Sequence, residues 1–158
     1  MKFERAQWLF PIAAALHNGE EAITMPGWDA RHAGQLPVHP PSAWELRIAL
    51  LVLTVAAFAI TFLSARKGPQ SEWAYLQFGY IVAMLVNVFV PHVPAALWFR
   101  GYAPGVVTAL AINLPLMSWM SWRAVREGWV AGAKAVAYGI GVPVVAGGII
   151  ALFVWAIR

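Results

Sequence analysis

His17-Asn18-Gly19-Glu20-Glu21 sets an imidazole and two carboxylates one helical turn apart, inside an otherwise apolar segment over residues 8–25. In a helix, positions i+3 and i+4 both lie over the face of position i. Glu20 and Glu21 therefore flank the ring of His17, about 100° of rotation from each other. A glutamate deep and unpaired in a hydrophobic segment costs on the order of 2–3 kcal/mol or more. Two adjacent ones need a proton, a cation or a metal to offset them. Groups this polar in a segment this apolar read as one helix of a membrane bundle that carries a site.

The rest of the chain agrees. Its 158 residues suit a single domain, and 61% hydrophobic against 11% charged exceeds the balance of a soluble one. The apolar residues fall in long runs, which makes the class integral membrane. A net charge of +4 could suggest nucleic acid, but the basic residues are scattered in short loops and termini, so nucleic acid is not expected as a partner. The absence of cysteine removes disulfides, thiolate chemistry and cysteine-based metal sites. The start, with Lys2 and Arg5 before an apolar run, resembles a signal peptide. Glu4 in that basic region and the polar cluster that follows favour a retained helix instead.

Outward from the first segment, Pro26-Gly27 ends a helix over about 5–25, and a Pro-rich connector with His32 and His39 follows, in which both histidines are expected to be solvated. Ser42, with Glu45 three residues on, caps a second helix over about 43–64, which Arg66-Lys67-Gly68-Pro69 stops. A third runs over about 72–91 until Pro91-His92-Val93-Pro94 interrupts it, and residues 95–99 could add a short turn. The fourth, about 105–123, contains Pro115, whose missing N–H predicts a bend near Asn113. The fifth, about 135–157, carries no charge, and its glycines predict close packing or a kink. The fold class is all-α, a polytopic membrane bundle of about five transmembrane helices in one domain, residues 1–158.

Five crossings put Lys2, Arg5, Arg66, Lys67, Arg123, Arg126 and Lys134 on one side and Arg31, Arg47, Arg100 and Arg158 on the other. The richer side is cytoplasmic by the positive-inside rule, so the N-terminus is expected there. This topology also gathers His17, Glu20, Glu21, His92, Asn87 and Asn113 into the outer half of the membrane, where polar residues face the bundle interior.

Several blocks carry a family resemblance. His17-Asn18-Gly19-Glu20-Glu21, Asn87-Val88-Phe89-Val90-Pro91-His92, and the run from Gly101-Tyr102-Ala103-Pro104-Gly105 through Thr108 to Asn113-Leu114-Pro115 are together similar to the HXXEE family of small bacterial integral membrane proteins. The resemblance implies a polytopic protein of the bacterial inner membrane with an enzymatic or metal site, and it supplies no substrate. Asn87 and His92 are five residues apart, so in a regular helix they point about 140° away from each other. Sharing a site requires Pro91 to distort that turn.

The residues themselves exclude several chemistries. Asn18 after His17 removes the zinc-protease helix motif, four histidines are too few for a multi-histidine di-iron centre, and no glycine-rich phosphate loop is present. The bland reading of His17, Glu20 and Glu21 is a hydrogen-bonded cluster that ties helices together. The functional one is favoured because charge buried at such cost marks a site more often than a strut. The leading expectation is a membrane enzyme whose divalent metal, zinc or iron, is held by His17, Glu20 or Glu21, and His92. Glu20 and Glu21 are the catalytic candidates, one staying free as general base, and Asn87 and Asn113 are supporting polar groups. The bilayer around it implies a lipophilic small-molecule substrate. The alternatives are a small cation- or proton-coupled transporter using the same carboxylates, and a structural membrane protein without chemistry.

Overall fold

The computed structural model describes residues 1–36 and 40–156, which leaves His39 of the connector outside the described residues. Helices make up nearly all of it, with no strand among the described residues. After a single turn at Phe3–Ala6 comes α1, Leu9–His32. The second helix, α2, is Ala43–Lys67. Helix α3, Glu72–Asn87, continues through a wide π turn at Val88–His92 into a short segment, Val93–Trp98. Helix α4 is assembled from Val106–Thr108, a second π turn at Ala109–Asn113, and Leu114–Arg126. The last, α5, is Gly132–Ala156.

Three stretches are long and apolar enough to cross a membrane: Ala43–Lys67, Glu72–Trp98 and Gly132–Ile149. Their burial pattern fits a lipid solvent. On α2 only Leu50, Ala57, Thr61 and Ser64 are buried, while Leu51, Val52, Val55, Phe58 and Phe62 face outward. Helix α5 turns Val136, Ile140, Val144 and Ile149 outward in the same way. A helix apolar all round yet mostly uncovered by protein is stable only where the medium is apolar too.

Helix α3 is central and packs against α2, α4 and α5, while α1 lies on α2 and on the first half of α4. The core between them is built from Phe10, Ala13, Ala14, Ala57, Ile81, Met84, Met117 and Met120. Close contact of α3 with α5 depends on Gly79, where a Cβ would stand 2.6 Å from the Tyr138 carbonyl oxygen and 2.5 Å from Val142 Cγ2. Of the glycines expected to thin the fifth helix, Gly139 meets Phe78, whereas Gly141, Gly147 and Gly148 have nothing within 4 Å of a Cβ. The contact is made by small residues, but the decisive one sits on α3.

The cap expected on α2 forms in full. Ser42 N–H donates to Glu45 Oε2 at 2.8 Å and Glu45 N–H to Ser42 Oγ at 3.3 Å. The first helix differs from its expected end, running past Pro26 to His32. Proline removes the donor for the carbonyl four residues back. That carbonyl, Ala22, instead accepts from Arg47 Nε at 3.3 Å, so the helix continues without an orphan acceptor. Trp28 then fixes the extra turn by donating to the Tyr102 carbonyl at 2.9 Å and packing against Phe99. His32, expected to be a solvated connector residue, is half-buried against Trp28 and Phe99.

Helices α1 and α4 run antiparallel. Phe3 N–H donates to Glu127 at one end of the bundle, and Thr108 meets Glu20 at the other. That second end holds the polar cluster.

Candidate functional site

His17 projects from the middle of α1 and is only 1% exposed. Its Nδ1 lies 2.8 Å from Thr108 Oγ1, and that hydroxyl donates its single proton to Glu20 Oε2 at 2.6 Å. Thr108 Oγ1 can therefore only accept from the ring, so Nδ1 carries the proton and Nε2 keeps its lone pair. His92 reaches the same state by a different route. Its Nδ1 is 2.8 Å from the Pro104 carbonyl, a pure acceptor, which again leaves Nε2 as the lone-pair nitrogen. The two rings stand edge to face, their centroids 4.7 Å apart.

Glu21, one turn after His17, brings Oε1 to 3.9 Å from His17 Nε2 and 3.6 Å from His92 Nε2. One ligand atom from each of His17, Glu21 and His92 lies within 4.8 Å of the other two. Two imidazole Nε2 atoms and a carboxylate, with each Nδ1–H facing an oxygen, are a donor set that could hold a divalent metal.

The neighbouring carboxylate is turned elsewhere. Glu20 Oε2 accepts from the Thr108 backbone N–H at 2.8 Å and from its hydroxyl, while Oε1 accepts from Tyr102 at 2.8 Å. Adjacent positions on a helix point about 100° apart. Here the two directions lead to different partners, Glu21 to the histidines and Glu20 to the first turn of α4. Glu20, expected as an alternative ligand, is not brought into the His17–Glu21–His92 group but reaches it through Thr108.

Asn87 joins the cluster despite its five-residue spacing from His92. Its Nδ2 is 2.9 Å from His92 Nε2 and 3.2 Å from His17 Nε2. The wide turn at Val88–His92, with Val90 at φ −148° and ψ 108°, supplies the distortion that a regular helix lacks. A π turn closes i to i+5, and five is the separation of these two residues.

Asn113 is buried in the other wide turn but is not part of the cluster. Neither polar atom of its side chain has a hydrogen-bond partner among the described residues, so it does not bond the Ala111 carbonyl freed by Pro115 either. Asn18 is likewise structural in its contacts, donating to the Leu50 carbonyl and Thr54 Oγ1 and so joining α1 to α2.

Sequence reasoning missed Thr108 and Gly105 as individual site residues, although both lie inside a block that carried the family resemblance. Gly105 has φ +78°, and a Cβ there would lie 2.5 Å from His92 Cε1 and 2.9 Å from His17 Cε1. Only glycine lets the start of α4 close over both rings.

The family described as "Protein of unknown function with HXXEE motif" matches residues 8–120. The chain belongs to the HXXEE family. The motif itself is His17, Glu20 and Glu21, and the matched stretch also contains Asn87, His92, Tyr102, Gly105 and Thr108, ending inside α4 and leaving out α5. A relative, the uncharacterized protein YrkK of Bacillus subtilis (strain 168), is 34% identical over 112 residues, covering 69% of this chain and 68% of the relative. No solved structure matches the chain. The three motif residues of the family thus divide between two positions: a histidine and a glutamate beside His92, and a glutamate that holds Thr108.

Proposed function

We propose that this HXXEE protein is a membrane-embedded metal-dependent enzyme acting on a lipophilic substrate, with a divalent ion held by His17 Nε2, His92 Nε2 and Glu21. The convergence of two lone-pair Nε2 atoms with a carboxylate oxygen inside 4.8 Å carries the reading. Charge supports it too. Among the described residues no lysine or arginine pairs with Glu20 or Glu21. A divalent cation balances the two carboxylates, where neutral histidines cannot. Two histidines and one carboxylate suit zinc or non-haem iron.

Bound there, the ion would supply a Lewis acid or an activated water to an ester, amide or unsaturated group presented from the bilayer. Glu20 would position His17 through Thr108 rather than serve as the base, leaving Glu21 as the carboxylate nearest the reacting atoms. The lipophilic substrate class rests on the flanks of the cluster. Phe89 and Val90 beside Asn87, and Val107 and Leu110 beside Thr108, are all exposed apolar side chains. The protein would lie in the bacterial inner membrane with this end of the bundle away from the cytoplasm.

A cation- or proton-coupled carrier is the second reading, favoured by a buried polar group at the opposite end. There Gln77 Nε2 donates to Thr61 Oγ1 at 3.0 Å and to the Gln7 carbonyl at 3.4 Å. The fully buried Phe10, Ile81 and Met117 count against a continuous path, since α1, α3 and α4 place one each between the two ends.

The test is metal content of folded, detergent-purified protein after loading with zinc or iron. His17→Ala and His92→Ala are each expected to abolish retention, and the double variant to be little worse than either, because ligands of one ion act as a unit. His32→Ala is the control and should retain metal. Wild-type protein that takes up no metal under any loading would sink the enzyme reading and move the carrier ahead. Full retention by His92→Ala would mean that α1 binds alone.

A further inference from the structure

Asn87 is the one member of the cluster whose observed hydrogen bonds and a bound cation exclude each other. Its Nδ2 donates to both Nε2 atoms, at 2.9 Å and 3.2 Å, using the two protons of a single amide group on the two lone pairs that would ligate a metal. A cation on those lone pairs displaces both protons. It would also face the positive end of the amide dipole at close range, which is repulsive. The same side chain turned end for end brings Oδ1 to the position Nδ2 now holds. Without an ion, that orientation sets three lone-pair atoms against one another; with an ion, it supplies a further oxygen donor. The preferred orientation of Asn87 is thus opposite in the two cases.

We infer that Asn87 is a metal-dependent switch: its amide holds His17 and His92 in ligating geometry through Nδ2, and reverses on metal loading so that Oδ1 becomes the fourth ligand. This rests on the metal-site reading above and adds a donor to it. The protonated Nδ1 atoms hold both rings from behind, so the amide is the group whose orientation has to reverse when the ion enters. The fold places Asn87 where that is feasible, at the last residue of α3 before the wide turn, with part of its side chain open to the surroundings. A neutral amide oxygen is the weakest of the four donors, so it is the one a substrate oxygen would displace. The fourth position is then filled at rest and available in turnover, as a catalytic centre needs.

The chain has three asparagines, Asn18, Asn87 and Asn113, which makes the amide directly observable. Full-length protein labelled with 15N at asparagine would be stripped with a chelator, titrated with zinc and followed by NMR in detergent. Asn87→Ala identifies the Asn87 side-chain NH2 pair by its disappearance. That pair is expected to shift strongly with one equivalent of zinc while the Asn18 and Asn113 pairs stay in place. Zinc affinity, measured by chelator competition, should fall on the order of 10–100-fold in Asn87→Ala. It should be kept or raised in Asn87→Asp, which retains the oxygen and loses the N–H donor.

Two results overturn the inference while leaving the metal site standing: zinc binding to wild type with an unmoved Asn87 NH2 pair, or loss of affinity in Asn87→Asp. The first would leave the amide where it is, and the second would make the donor, not the oxygen, the group that matters. Failure of wild type to bind zinc is a different outcome, because it removes the metal site itself and the switch with it.

Discussion

Glu20 and Glu21 are chemically identical neighbours, and the geometry of a helix gives them different work. Glu21 stands beside His17 and His92, while Glu20 closes on Thr108 and Tyr102. The expectation for Thr108→Val follows from the hydrogen bonds it removes. Valine keeps the shape but cannot accept from His17 Nδ1 or donate to Glu20, so the ring loses the partner that fixes its tautomer. Metal affinity should drop on the order of 10–100-fold, and Thr108→Ser should restore it. A Thr108→Val protein that binds metal like wild type would show that His17 needs no such support. Gly105→Ala should be harsher, since its Cβ meets both imidazoles and its backbone conformation disfavours a side chain. Loss of metal retention with the fold preserved, checked by circular dichroism, is the expected result. The identities of His17, Glu21 and His92 were legible in sequence because buried charge is conspicuous. Thr108 was not, because a threonine in an apolar helix has no signature until its partner is known.

At the scale of the element, the readings that failed were those that treated proline as a full stop. Pro26 does not end α1, because Arg47 on a separate helix occupies the carbonyl it frees. Pro91 does not simply break α3 either, and the bend expected from Pro115 near Asn113 takes the form of a wide turn within α4. Each accompanies a wide turn, and the first of these turns carries Asn87 and His92 to one point. The distortion was foreseeable from Pro91 as a condition, but its geometry depends on packing that a single chain segment does not encode. Helix–helix contact shows the same limit. The fifth helix advertises its glycines, yet the closest approach belongs to Gly79 on α3. Gly79→Ala should cost about 1–3 kcal/mol by overpacking against Tyr138 and Val142, read as a lowered melting temperature in detergent. Gly141→Ala, which meets nothing within 4 Å, should be near neutral. Equal effects from the two would contradict the assigned α3–α5 contact.

Across the whole molecule, the cluster and the larger group of basic residues lie at opposite ends of an antiparallel pair, and this makes the membrane orientation a statement about how the proposed metal or substrate would arrive. Lys2 and Arg5 precede α1, while Arg123 and Arg126 end α4, all at the end away from His17. The seven basic residues expected on that side outnumber the four on the other, which favours the proposal that it faces the cytoplasm and that the His17–Glu21–His92 group lies in the far half of the bilayer. Helices α2, α3 and α5 contain the stretches that meet the length and apolarity of a span, so the orientation turns on whether α1 and α4 also cross. Reporter fusions at the N-terminus, in the 66–68 loop and at the C-terminus separate the cases. If all five cross, the first two report the cytoplasm and the third the outside. An N-terminus opposite the 66–68 loop would mean that α1 does not cross, and its glutamates would then sit at a surface rather than inside the bilayer. A loop and C-terminus on the same side would place the failure in α4. Either result would remove the apolar surroundings on which a lipophilic substrate depends, even if the metal ligands proved correct.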